Sequence, residues 1–326
     1  MTERGISLAD VYRARAVITP LARRTPLVPS SSLSERCGAP VYLKLETMQD
    51  MGAFKIRGAA NRIFSLDVEE RERGVVTVST GNHGRAVAYA ARHQGVRAIV
   101  CLSRLVPAVK VEAIKALGAE VLIVGDSQDE AQEEAERLVD DRGLTFVNPF
   151  DDPWVIAGQG TIGLELLEDI PEIDTVIVPI GGGGLIGGIA LVLKSASPAT
   201  RVVGVSMARG AAMIDSQNAG KPILVEEVET LADSLGGGIG LSNRYSFTMV
   251  RDFVDKMIVV SEKQIAAAMV HAYRHERLVV EGGGSVGIAA LLHDLVPDIR
   301  GHTAVVLSGN NVDMDVFGGI VGTRRD

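Results

Sequence analysis

The chain predicts an α/β fold of two wound parallel-sheet domains, and three observations lead there. Short β-branched runs alternate with helical stretches almost throughout, the signature of parallel strands joined by crossover helices. With 46% hydrophobic but only 4% aromatic residues, the composition describes a well-filled aliphatic core and not a disordered chain. A length of 326 residues sets a prior of about two domains.

In chain order, residues 41–45, 74–78, 98–102 and 120–124 read as strands, each a short run rich in Val, Ile or Leu. Residues 175–180, 201–205, 256–260 and 303–307 follow in the second half. Between them, residues 129–141 and 262–277 carry Ala, Glu and Arg with few breakers and read as helices. No internal repeat, low-complexity tract or Pro/Ser-rich linker separates two halves, so a second domain has to share the same wound architecture. The densest cluster of turn formers, residues 146–153, marks a chain crossing. The expected division is a small domain of residues 46–149 and a large one of residues 1–45 with 150–326.

Charge and cysteine content narrow the function classes. A net charge of -8 and a pI near 5.4 argue against a nucleic-acid partner, which needs a basic stripe, and Arg23-Arg24 and Arg324-Arg325 are only isolated pairs. Cys37 and Cys101 are too few for a disulfide framework or a four-ligand zinc site, and read as reduced structural thiols of a cytoplasmic protein. Glu3, Arg4, Asp10, Arg13 and Arg15 leave no apolar stretch for a signal peptide. Residues 175–193 are uncharged and long enough to imitate a membrane span, but six glycines and Pro179 divide them more naturally into strand, glycine loop and buried helix.

The chemistry concentrates in three places. Lys55 lies in an apolar window, and burial lowers a lysine's pKa toward the free amine that carbonyl chemistry requires. Gly181, Gly182, Gly183 and Gly184 follow a strand and open a helix, offering backbone N–H groups and a helix N-terminus to a phosphate. Amine plus phosphate cradle suggests pyridoxal phosphate. The rival reading of the glycine run is a dinucleotide site, since Gly182, Gly184 and Gly187 satisfy G-x-G-x-x-G, but no acid stands at Val205, Ser206 or Met207 to hold ribose hydroxyls. Ser79, Thr80, Gly81, Asn82 and His83 form a polar turn between strand and helix that suits a carboxylate, and would equally serve as a plain helix cap. His271 and His275 have metal-ligand spacing but stand among Arg274, Glu276 and Arg277, and read as a solvated face.

Residues 53–59, 79–83, 179–185, 231–235 and 308–311 resemble, in order and spacing, the threonine dehydratase and serine racemase family of fold type II pyridoxal-phosphate enzymes. More narrowly, residues 79–91, 103–108 and 231–241 look like the hydroxyectoine-utilisation dehydratase branch. The resemblance implies a tryptophan synthase beta-like fold in which Lys55 carries pyridoxal 5'-phosphate and is the catalytic residue. It further implies cofactor contacts from Phe54, Asn82, Gly181, Gly182, Gly183, Gly184, Leu185, Glu281 and Ser308. The substrate carboxylate would meet Ser79, Thr80, Gly81, Asn82 and His83. Ser308 opposite the ring nitrogen, in place of an aspartate, favours β-elimination over transamination. Where metal-activated members carry a glutamate this chain has Ser206, followed by no carboxylate through Ala212, so no metal site is expected.

The expected function is a β-eliminating dehydratase, or ammonia-lyase, acting on a small 3-hydroxy amino acid, with a homodimer as the family default. Hydroxyectoine itself has its α-nitrogen locked in a ring, whereas an opened and deacylated product, 3-hydroxy-2,4-diaminobutyrate, has the free α-amine and β-hydroxyl required. Its distal ammonium needs an acceptor, for which Asp50 and Asp233 are candidates. A general threonine or serine dehydratase is the alternative, and an NAD-dependent oxidoreductase or a non-catalytic ligand-binding relative the rivals from other classes.

Overall fold

The structure is a computed structural model and describes residues 5–79, 81–106, 108–126 and 128–322. A six-stranded sheet has the order β1-β2-β10-β7-β8-β9, from Leu27–Pro29 (β1), Val41–Leu45 (β2), Thr303–Leu307 (β10), Thr175–Pro179 (β7), Arg201–Met207 (β8) and Lys256–Val260 (β9). Only β1 runs antiparallel to its neighbour; all other pairs are parallel. A second, four-stranded sheet is wholly parallel, in the order β5-β4-β3-β6: Glu120–Ile123, Ala98–Leu102, Val75–Val78 and Thr145–Phe146.

Helices cover the large sheet on both faces, which is why its central strands are largely apolar, Lys44 and Ser206 being buried polar exceptions. Successive side chains point to opposite faces. Ile177, Val203, Val205 and Val305 enter one core with Val286 and Leu291, whereas Val176, Val178, Val202, Ala304 and Val306 enter another with Ile186 and Ile189. The small sheet has its own core, where Val75, Val100 and Leu102 meet Ala86, Val87 and Ala90 of the helix Asn82–His93.

All eight expected strands occur, four with the expected ends and four with shifted ones. Arg201–Met207 runs two residues past expectation because Ser206 and Met207 still pair with Val259 and Val260. The two unforeseen strands, β1 and β6, contain 3 and 2 residues and stand at sheet edges, too short for a periodic signal. The segment that imitated a membrane span divides into β7, a glycine loop and the helix Gly184–Ala196, and no described helix is long and apolar enough to cross a membrane. The expected helix 262–277 is α-helical only over Glu262–His271; one π-helical stretch, Ala272–Glu276, ends it at Arg277 with φ 63°. Its histidines are not simply solvated. The His271 and His275 rings stack at 4.6 Å, and His271 Nε2 meets the Ser32 hydroxyl at 2.8 Å, which in turn donates to Glu276 at 2.5 Å.

Candidate active site

Ligands in wound sheets bind beyond the carboxyl ends of strands. The chemical motifs all leave such ends: β2 leads toward Lys55, β3 toward residues 79–83, β7 into the glycine loop and β10 into residues 308–311. A fifth segment, residues 147–152, leaves β6.

Lys55 opens the helix Lys55–Phe64, and the residues before it are held by the exit from β10. Ala53 bridges Gly309, the Phe54 N–H donates to the Ser308 carbonyl at 3.0 Å, and the Asn310 N–H donates to Gly52 at 2.9 Å. The Lys55 ammonium donates to the Pro149 carbonyl at 2.7 Å and lies 5.3 Å from the centre of the Phe54 ring. Burial pushes its pKa down to about 8, opposed by the charge of Glu281. The apolar setting noted in the sequence thus acts on the amine as expected.

The glycine loop is closed in on its protein side. A Cβ on Gly181 would stand 2.8 Å from the Leu235 carbonyl, one on Gly184 would stand 2.5 Å from the Phe150 carbonyl, and one on Gly182 would fall on the Phe150 ring. Gly183, at φ +87°, is the N-cap of Gly184–Ala196 and supplies no capping side chain, and no acid occupies the first turn. A helix start with uncapped N–H groups and no room for side chains fits an anion such as a phosphate ester. Phe150 follows Pro149 directly, so the glycine loop and the Lys55 amine share one wall.

Asn82 and His83 begin the helix Asn82–His93 and are both buried. The Asn82 amide donates to Glu281 Oε1 at 2.9 Å and Oε2 at 3.2 Å, while its Oδ1 accepts from the Asn311 amide at 2.6 Å. Glu281, 3% exposed, also accepts from the Asn311 N–H at 3.0 Å, and burial raises its pKa above the usual carboxylate range. His83 Nε2 lies 2.9 Å from the Val147 carbonyl and therefore carries the proton there. Nδ1 has no partner among the described residues. Burial, then the Lys55 charge, lowers the His83 pKa to about 3, so the ring is neutral at working pH. Ser79 Oγ accepts from the Gly81 N–H at 3.3 Å; Thr80 lies outside the described residues.

Ser308 is 3% exposed at the end of β10, and Leu185 is buried in the first turn after the glycine loop. Asp50 is a poor ligand acceptor because Arg23 already holds it at 2.5 Å. Asp233 keeps an exposed side chain, with Lys110 across the cleft at 3.9 Å. Ser206 is buried beside the Met207 sulfur, and among the described residues no three His, Cys, Asp or Glu side chains group as metal ligands. Pro149, Phe150, Leu235 and Asn311 escaped sequence reasoning as site residues. The proline-rich turn read as a crossing, and β6, the two-residue strand it leaves, is too short to mark it as a strand exit.

Comparison with known proteins agrees with this architecture. The family model described as "Pyridoxal-phosphate dependent enzyme" matches residues 18–309. A Sinorhizobium fredii protein named provisionally as a threonine dehydratase is 51% identical over 321 residues, covering 97% of both chains. L-threonine ammonia-lyase of Thermotoga maritima is 43% identical over 317 residues, covering 97% of this chain and 78% of the other. The solved structure of maize serine racemase superposes with a TM-score of 0.91 at 37% identity, covering 97% of each chain.

Proposed function

This chain belongs to the pyridoxal-phosphate-dependent enzyme family, of fold type II, and we propose that it is a dehydratase releasing ammonia from a small 3-hydroxy amino acid by β-elimination. Pyridoxal 5'-phosphate is its cofactor. The observation that carries the reading is the convergence on one cleft of an enclosed lysine amine, an uncapped glycine helix start and the buried Asn82–Glu281–Asn311 network. Residues 1–45 with 150–326 form the lobe bearing the phosphate loop, and residues 46–149 the lobe bearing the carboxylate turn.

When bound, the cofactor supplies a carbonyl for amine exchange and a conjugated ring that stabilises the electron pair left by a broken Cα–H bond. The chain provides the rest. Lys55 would hold the cofactor covalently and, once freed by the substrate amine, is the amine placed to take the Cα proton. A pKa near 8 suits both tasks at neutral pH. Gly181, Gly182, Gly183 and Gly184, with Leu185, hold the phosphate through backbone N–H groups. Phe54 would flank the ring and Asn82 would present its amide to the ring hydroxyl, an amide that Glu281 keeps oriented. Ser308 would offer the ring nitrogen a hydroxyl, which does not enforce its protonation. The start of Asn82–His93 would receive the substrate carboxylate, with Ser79, Gly81 and His83 around it.

For the substrate, the stretches resembling the hydroxyectoine-utilisation branch support 3-hydroxy-2,4-diaminobutyrate. Asp233, on the 3-10 turn Asp233–Leu235 whose Leu235 abuts Gly181, is the remaining candidate for its distal ammonium. Charge-assisted pairing there would contribute about 1.5–3 kcal/mol, roughly 10–150-fold in specificity. The names of the relatives favour threonine as the second reading. Ammonia release from the diamino acid, threonine, serine and 3-hydroxyaspartate side by side decides. The diamino acid leading in kcat/KM supports the narrower reading, and threonine leading returns the protein to the general dehydratases. We also assign it a cytoplasmic homodimer, which light scattering would contradict by returning a monomer mass.

A further inference from the structure

Behind the Lys55 helix lies a cluster of buried charge that the reaction does not use. Arg57 is 1% exposed, Lys44 and Glu46 are 0% and Glu165 is 5%, two cations against two carboxylates. Arg57 sits at their centre. Its Nε and one terminal nitrogen each donate to Glu46 at 2.8 Å, and its terminal nitrogens donate to Glu165 at 2.6 and 3.0 Å. It also donates to the Thr161 hydroxyl at 3.0 Å and the Arg23 carbonyl at 3.1 Å. Lys44 reaches only Glu165, at 2.6 Å, and the Thr25 carbonyl, at 2.7 Å.

Such a cluster is an inefficient source of stability, since apolar groups of similar volume often hold a core as well. What a guanidinium forked into two carboxylates provides is a fixed orientation. The element so oriented is the first turn of Lys55–Phe64, whose N-cap Phe54 contributes no capping side chain. At 3.6 residues per turn, Arg57 leaves the helix on the side roughly opposite Lys55. Next to it the helix crosses Pro153–Asp169 almost backbone on backbone: a Cβ on Gly58 would stand 2.8 Å from the Val155 carbonyl, and one on Gly158 would stand 2.5 Å from the Arg57 carbonyl. Beside this close approach the Val155 and Gln159 side chains abut Gly58 and the Asn61 amide donates to the Trp154 carbonyl at 2.7 Å, one turn further along. At the first turn itself the two-carboxylate fork of Arg57 is the buried side-chain anchor.

We infer that Arg57 is a positioning residue for Lys55: anchored by Glu46 and Glu165, it fixes the rotation of the first turn about the Gly58–Gly158 crossing and so the place of the Lys55 amine. The inference rests on Lys55 being the cofactor-bearing lysine. Residue 57 falls numerically in the smaller lobe with Glu46 at that lobe's first position, yet the other partners of its guanidinium, Arg23, Thr161 and Glu165, belong to the larger one.

Two double variants, each removing one cation and one acid, test it. R57M/E46L abolishes the fork and leaves the Lys44–Glu165 pair; K44M/E165L leaves Arg57 forked into Glu46. The readout is the rate at which cofactor-free protein captures pyridoxal phosphate, with its pH dependence. A reacting group misplaced by about 1 Å loses roughly 100-fold in rate, so R57M/E46L is expected to fall about that far with a displaced pH inflection, while K44M/E165L, which removes one anchor and keeps the fork into Glu46, falls by less than about tenfold. Equal behaviour of the two variants overturns the inference. Should R57M/E46L fail to fold, R57K, which keeps the charge without the planar fork, carries the test: more than tenfold slower capture at an unchanged melting temperature supports positioning, and unchanged capture refutes it. Borohydride reduction and peptide mapping of the parent separates the two levels. Label away from Lys55 defeats the site reading itself, whereas label on Lys55 with equal variants defeats only the role of Arg57.

Discussion

The lowered pKa of Lys55 makes a quantitative prediction about how the cofactor-free protein acquires its cofactor. Only the neutral amine attacks a carbonyl. With a pKa of about 8 rather than the ordinary 10.5, Lys55 is about one-tenth neutral at pH 7, against about one part in 3,000 for an unperturbed lysine. That is roughly a 300-fold advantage at neutral pH. The sign follows from the causes: burial disfavours the ammonium, Glu281 restores part of its stability, and His83, neutral at these pH values, adds no competing positive charge. Stopped-flow mixing of cofactor-free protein with pyridoxal phosphate, divided at each pH by the rate per neutral molecule of a simple amine of known pKa, should give a capture rate rising about tenfold per pH unit up to about pH 8 and level above it. A rate that climbs without inflection to pH 10 would mean that the amine is solvated as an ordinary lysine, and the reasoning from burial would fail.

Three further outcomes follow from the site. Gly183→Ala forces a side chain into φ +87° and against the Met213 terminal methyl, at 2.6 Å; the backbone strain alone is about 1–2 kcal/mol, so cofactor affinity by absorbance titration should weaken at least about 5–30-fold, and a change below twofold refutes the loop assignment. Asn82→Ala leaves Glu281 with fewer donors and the Asn311 amide without its Asn82 acceptor, costing about 1–3 kcal/mol, so calorimetry should find a lower melting temperature; an unchanged one contradicts the network's weight. With Ser206 and Ala212 where a cation would need carboxylates, chelation should leave turnover unchanged, and a loss restored by magnesium would show that oxygen ligands lie elsewhere.

The sequence made the architecture legible because long β-branched runs and a glycine-rich strand exit have few alternative structures. Lys55, the glycine run and the turn at Asn82 could be placed for that reason. Three things were hidden. The short strands β1 and β6 and the π-helical stretch after His271 depend on tertiary pairing that no local period encodes. Lys44, inside an otherwise apolar strand, was the one visible sign of the buried charge cluster, but the cluster's two acids, Glu46 and Glu165, lie 119 residues apart. Asp50 looked open to a ligand beside the Lys55 motif because nothing local reveals that Arg23 occupies it.

The claim that Lys55 both anchors the cofactor and moves the proton is tested most directly by Lys55→Ala. Because the glycine loop is untouched, the variant should still take up pyridoxal phosphate, but without the visible band of the lysine-linked form. Its ammonia release should fall by more than the roughly 10²–10⁴-fold typical of a lost general base, since the covalent attachment goes as well. A small primary amine added to the assay should restore part of the rate. A purified Lys55→Ala protein that keeps both the colour and the turnover would contradict the account.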